Sequence, residues 1–375
     1  MTMACAVAWL AVVWRPAMAA EAVVLPPAPP IMVELITPPS DELGHYLPLD
    51  TSGSYPLMGA VASASPITAV TVGVAPAVLY PLKYRVFQAP DGYIVTGFRA
   101  WVFLEPNLPL RITVLDQAGN LQDASFLPDG DAAMSRFNFW RQRTSEDPFV
   151  ALRASVGHAI QGDDNLALPT LDLLVSLHPE YPVIRHLRAL TRWDAGDWDG
   201  ALADLQAVVA AAPDAYAPQV DLARLLHSMG NYPDAIAQYQ AALNLVPAAA
   251  EVHYLLGQAL REQNNLDTAS LQEQAALQAY PDFPNANYEL GVILAQQGNT
   301  DQALYRFQRA AQVNPQSGDV VMALARMYYT RGDYPRAWRM VQRAERWGTA
   351  PPKSLTDALT QKMKEPHSYT PAAAF

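Results

Sequence analysis

A period of 34 residues governs the chain from Pro148 onward. Glycine, once replaced by asparagine, recurs at Gly162, Gly196, Gly230, Asn264, Gly298 and Gly332. Alanine follows five residues later each time, at Ala167, Ala201, Ala235, Ala269, Ala303 and Ala337. Proline follows at Pro179, Pro213, Pro247, Pro281 and Pro315, and a sixth, due at Thr349, arrives at Pro351. Three columns in phase over six units imply stacked supersecondary units, each burying a face against its neighbour, rather than one closed core. The glycine column suits a turn between two helices, where left-handed backbone is cheap for Gly and tolerable for Asn. The alanine column suits the close crossing of the second helix over the first. The proline column ends that second helix.

Within this frame Leu222-Ala223, Leu256-Gly257, Leu290-Gly291 and Leu324-Ala325 pair a large knob with a small hole in the first helix. Tyr239 and Phe307 fill an aromatic position of the second helix. On these columns the region is identified as a member of the tetratricopeptide repeat family, with six repeats at 148–181, 182–215, 216–249, 250–283, 284–317 and 318–351. Pro169 places the start of the second helix of the degenerate first repeat. Residues 353–364 read as a capping helix, and the tail to Phe375 as flexible. The resemblance implies an all-α superhelical solenoid whose concave groove, lined by the first helices, binds a peptide or protein. Carried over column by column, it implies partner-binding roles for His186, Trp193, Arg224, His227, Tyr254, Gln258, Arg261, Tyr288, Arg326 and Tyr329. Tyr, Trp and Arg are frequent interface anchors, and Gln258 and Arg224 suit a peptide backbone or carboxylate. The Lys and Asn that some relatives use to clamp chaperone tails are replaced here, so that partner is rejected. Packing against the next repeat is the competing role for each of these side chains.

The N-terminal part has a different texture. Residues 20–30 form a proline-rich linker. Short β-branched runs then follow at 31–37, 55–62, 67–74, 84–88, 93–104, 110–115 and 121–127, divided by turn residues. The stretches Ser65-Pro-Ile-Thr-Ala-Val-Thr-Val-Gly73 and Leu110-Arg-Ile-Thr-Val-Leu-Asp-Gln-Ala-Gly-Asn120 resemble bacterial immunoglobulin-like modules of exported proteins. That resemblance implies an all-β sandwich over 31–127, acting as a spacer or adhesion-like element. Asp116 and Asn120 are read as shaping a turn rather than holding calcium. Residues 128–147 read as a linker whose aromatics pack against the first repeat.

Residues 1–19 read as a signal peptide, an apolar run followed by an Ala-x-Ala cleavage pattern. They carry Cys5, the chain's one cysteine, so the mature protein would have no thiol chemistry. The implied location is the periplasm, cell surface or medium, with an uncleaved N-terminal anchor as the alternative and no stable membrane span after cleavage. A net charge of −11 argues against nucleic acid as a partner. Residues 148–300 carry six Arg/Lys against seventeen Asp/Glu, whereas 301–351 carry eight Arg against four Asp/Glu. Ordinary solvated faces account for this. Acidic and basic docking surfaces, permitting head-to-tail self-association, are the sharper reading.

No phosphate-cradling glycine loop, nucleophile elbow or metal-spaced histidine set is present. No enzyme activity, metal or cofactor is expected. The expected function is that of an exported protein–protein interaction scaffold, serving assembly of an envelope complex. The alternatives are a carbohydrate-binding or adhesion protein using Tyr84, Tyr93 and Trp101 of the β-domain, and a non-catalytic subunit of an enzyme complex.

Overall fold

In a computed structural model of the chain, the described residues are 31–37, 45–46, 54–82, 92–103, 109–128, 151–152, 155–156, 158–159 and 164–364. The expected signal peptide, the proline-rich linker, the 84–88 strand, the 128–147 linker beyond Pro128 and the tail beyond residue 364 lie outside them. The chain divides into two compact units. The first holds residues up to Asn231 together with Asn244–Pro247, and the second Tyr232–Leu243 together with everything from Ala248.

Among the described residues, the first unit contains nine strands in two sheets. One has the order β1 (Ile31–Thr37), β3 (Ser54–Ser63), β7 (Ile94–Phe103), β6 (Val78–Pro81), antiparallel throughout. The other runs β2 (His45–Tyr46), β9 (Leu121–Pro128), β8 (Leu110–Asp116), β4 (Ile67–Val72), β5 (Ala75–Pro76), with β2 parallel to β9. Five expected strands appear close to their expected bounds, and Tyr93–Leu104 appears as one strand that continues past Gly97.

Strands alternate faces with a period of two. In β8 this is plain: Leu110, Ile112, Val114 and Asp116 are buried, while Arg111 and Leu115 are exposed. In β3 and β7 it fails. Leu57, Met58, Ala60, Val61, Ala62, Phe98, Arg99 and Ala100 are all buried, on both faces. A strand covered on both sides reads as a continuous apolar run, and PLMGAVAS reads that way. The Asp116 carboxylate accepts hydrogen bonds from the Asn120 amide N–H (2.8 Å), Asn120 Nδ2 (2.9 Å) and Ser63 Oγ (3.2 Å). It therefore shapes the β8–β9 turn.

The same unit carries helices α1 (Asp164–Leu177), α2 (Pro182–Asp194), α3 (Trp198–Ala211) and α4 (Tyr216–Ser228). α1 begins five residues before Pro169 and contains it, which corrects the expectation that the helix starts there. As the sixth residue of the helix, Pro169 costs one intrahelical hydrogen bond, the one its N–H would have given to the Asn165 carbonyl. Leu171, Leu174, Val183, Ile184 and Leu187 form the core of these helices with Leu152 and Val156. Arg188 and Arg192 of α2 clamp Asp204 of α3 and Asp172 of α1 at 2.5–3.1 Å.

The second unit holds α5 (Tyr232–Leu245), whose last residues Asn244 and Leu245 belong to the first, then α6 (Ala250–Glu262), α7 (Leu266–Ala279), α8 (Pro284–Gln296), α9 (Thr300–Val313), α10 (Gly318–Thr330), α11 (Tyr334–Arg346) and α12 (Lys353–Lys362). The twelve described helices end and begin where the columns require. Gly196, Gly230, Gly298 and Gly332 have φ of 77–83°, and Asn264 has φ 58°. After each, a backbone N–H reaches back five residues, as Asn265 does to Leu260 at 2.9 Å, closing a Schellman turn. All six column alanines are fully buried. Helix α12 caps the array through buried Leu355 and Leu359, and Trp338 Nε1 donates to the Met363 carbonyl at 3.1 Å.

Candidate functional site

Each repeat contributes a first helix (α2, α4, α6, α8 or α10), and the expected partner-binding residues lie on these helices. In the first unit their faces are engaged by the sheet. Within the β1-β3-β7-β6 sheet, Met58, Ala60, Gly97 and Arg99 share one face by register and alternation. Tyr80 pairs with Gly97 and lies across it, and a Cβ at Gly97 would overlap the ring. The Tyr80 ring meets that of Tyr216 on α4 at 5.1 Å between centroids. Ile36 of β1 packs against the helical core.

At the centre of this contact Arg99 Nη2 donates to Asp221 Oδ1 at 3.0 Å, and both side chains are 1% exposed. Arg99 Nη1 lies 3.4 Å from the Met58 sulfur. His186 Nε2 sits 2.9 Å from Asp221 Oδ2, and Arg224 Nη1 donates to Oδ1 at 3.2 Å. Burial pushes the Asp221 carboxyl up. The Arg99 charge, the His186 hydrogen bond and charge, and the Arg224 charge outweigh it and hold the group far below the usual carboxylate range. The Arg224 guanidinium also lies over the Trp193 ring, 5.3 Å from its centroid. So His186, Arg224 and Trp193 are brought together, around an acid the sequence reading did not select. His227 is half-buried on α4.

In the second unit Tyr254, Gln258 and Arg261 of α6 gather around Glu289 of α8. Gln258 Nε2 donates to Glu289 Oε1 at 3.2 Å, and Arg261 Nε lies 3.0 Å from Oε2. That ion pair is not aligned as a hydrogen bond, and both atoms are buried without one. Behind them stands Glu273 of α7, fully buried, with neither carboxyl oxygen hydrogen-bonded. Its column reads Leu171, Leu205, Tyr239, Glu273, Phe307, Val341: one carboxyl among apolar and aromatic side chains, every member buried. Gly257 makes room for it, as Gly291 does for Phe307. Burial first, then the neighbouring Glu289, push the Glu273 carboxyl well above the usual range, with Arg261 opposing. Burial and the same two acids push the Tyr254 hydroxyl up.

Tyr288 is half-buried, its ring 5.7 Å from Phe307, and Tyr329 lies 5.8 Å from Tyr334. Arg326 is exposed. The remaining sequence-selected aromatics of the β-domain divide. Tyr93 is half-buried and packs against Ala60 and Ala62. Tyr84 and the Trp101 side chain lie outside the described residues. Among the described residues no group of acids, histidines and cysteines has metal-binding geometry, and no helix is long and apolar enough to cross a membrane.

Family models match this region. A TPR repeat model covers 223–264, and tetratricopeptide repeat models cover 294–352, and 186–243 with 274–306. No curated protein sequence matches the chain. Among solved structures, the APC/C hetero-tetramer Cut9–Hcn1 aligns at 15% identity and TM-score 0.52, over 62% of this chain and 46% of that one. YrrB, described as a TPR protein with an unusual peptide-binding site, aligns at 19% identity and TM-score 0.42, over 51% and 97%. MamA aligns at 22% identity and TM-score 0.41, over 43% and 94%. The chain therefore carries tetratricopeptide repeats in an all-α C-terminal array, a fold of the protein-interaction scaffold type.

Proposed function

We propose that the protein is an exported, non-catalytic scaffold whose repeat array binds a peptide or protein partner, in assembly of an envelope complex. The supporting observation is the first-helix face of the second unit. Gln258, Arg261, Tyr288 and Tyr329 are half-buried there and Arg326 is exposed. Tyr and Arg are among the side chains that most often anchor interfaces. The N-terminal strands are read as an immunoglobulin-like sandwich acting as spacer. The export reading rests on the signal-like residues 1–19.

Because Arg99 and Asp221 bury each other, a test on the repeats alone would strand a charge. The experiment uses the chain from residue 20. Envelope extract is passed over wild type and over a Gln258→Ala, Tyr288→Ala, Arg326→Ala variant, and captured proteins are identified by mass spectrometry. Direct binding is then measured with the purified candidate. A defined partner held by wild type and lost by the variant supports the reading. Equal capture by both, or none, refutes it.

A further inference from the structure

Asp221 and Glu289 both stand sixth in their repeats, where the other units from the second onward have Leu187, Leu255 and Ala323. At Asp221 the protein shows what such an acid receives: an arginine carried on an extended strand, assisted by His186 and Arg224. At Glu289 the donors are Gln258 and Arg261. Arg261 also pairs with Glu262 at 2.9 Å, so its charge is shared. Two buried carboxyls, Glu289 and Glu273, thus face one guanidinium. Glu273 Oε1 and Oε2, Glu289 Oε2 and Arg261 Nε are all buried without hydrogen bonds. Unmet hydrogen-bonding capacity is costly in a core, and most buried polar groups have a partner.

We propose that the Glu289–Glu273 cluster on α6, α7 and α8 receives an arginine side chain of the bound partner, as Asp221 receives Arg99. This rests on the reading of the first-helix faces as the partner-binding surface. A guanidinium offers paired N–H donors to a carboxylate. Glu289 and the partly exposed Gln258 and Arg261 form the entrance, and Glu273 supplies the second negative charge from behind. The charged and titratable groups facing Glu273 are Arg261 and Tyr254 from α6 and Glu289 from α8. In the free protein, burial and the neighbouring Glu289 push the Glu273 carboxyl towards its neutral form. An arriving cation favours the ionised form, so binding releases a proton and affinity rises with pH up to the free-state titration of Glu273.

The full chain is tested against heptapeptide pools degenerate at six positions and fixed at the central one, including an arginine pool and its uncharged citrulline isostere. The strongest sequence is then titrated calorimetrically in two buffers of different ionisation enthalpy. The expected result is preference for the arginine pool and loss of at least ~10-fold in affinity in Glu289→Gln. Proton release is expected in wild type but not in Glu273→Gln, which also serves if Glu289→Gln does not fold. Equal binding of the arginine and citrulline pools, or full affinity in Glu289→Gln, overturns the arginine proposal and leaves the groove reading standing. A stronger lysine pool overturns it in favour of an ammonium site. Binding by no pool overturns both readings.

Discussion

Asp221 and Glu289 occupy one repeat position in two parts of the molecule, and their surroundings differ in charge balance. Asp221 is met by Arg99, His186 and Arg224, and its carboxyl is held far below the usual range. Glu289 shares Arg261 with Glu273, whose carboxyl is pushed well above it. A buried ion pair whose charges are matched acts as a fixed joint. A buried acid whose charge is unmatched stays neutral at a cost, and that cost is what a cationic ligand can relieve. The same residue class at the same repeat position therefore marks an internal joint in one unit and a candidate receptor in the other.

The sharpest way to break this contrast is to remove the cation from the joint. Arg99→Ala should lower stability by ~3–5 kcal/mol, because Asp221 is left buried and charged. Chemical denaturation of the full chain measures it. The double variant Arg99→Met, Asp221→Leu should recover part of that loss, since the buried pair leaves together and only His186 and Arg224 lose an acceptor. If Arg99→Ala costs under ~1 kcal/mol, the joint is not the fixed contact described here.

Replacing Glu273 acts in the opposite direction. Glu273→Phe restores the character of its column above Gly257, where Phe307 already lies over Gly291, and should raise stability by ~2 kcal/mol. Loss of stability would show that Glu273 has partners the contrast denies it. The pH dependence carries a related signature. Glu273 has a folded-state pKa above its unfolded value, so the folded state holds the extra proton between the two. Its contribution to stability falls as pH rises from the ordinary glutamate range through the raised value. Unfolding of wild type across that window should show the fall, and Glu273→Gln should lessen it. Asp221 has the reverse sign: its contribution is fully present above the ordinary aspartate range and is lost progressively as pH falls below it.

The smallest effects concern positions outside both centres. Asn264→Gly relieves a left-handed residue at φ 58° and should add about 0.5 kcal/mol in thermal unfolding. Arg326→Ala, exposed on α10, should change stability by under ~0.5 kcal/mol while weakening partner capture. A large stability loss there would make Arg326 structural rather than a contact residue.

Much of this was legible in the primary structure, unevenly. The 34-residue period located the helix ends, the left-handed turns at Gly196 to Gly332 including Asn264, the buried alanines and the capping helix. Local rules suffice there, because a left-handed turn admits few residues and a helix crossing admits only small ones. Five strands and the turn at Asp116 were likewise legible from short β-branched runs and turn chemistry. The site was legible only in part. His186, Arg224, Gln258 and Arg261 were selected by column, but the acids they face, Asp221 and Glu289, were not. Glu273 was visible as the one carboxyl in the Leu171, Leu205, Tyr239, Phe307, Val341 column, had the column been read in full. Arg99 left a trace as the single charge within the apolar run of β7.

What the sequence determined by itself, then, is the repeat: where each helix begins, turns and stops, because those features depend on residues a few positions apart. What only the tertiary structure decided is which acids are matched. Asp221 meets Arg99 across 122 residues of chain, and Glu289 meets Glu273 and Arg261 from three different helices. Charge balance in a core is a property of groups brought together by folding, and no local pattern encodes who the neighbours will be.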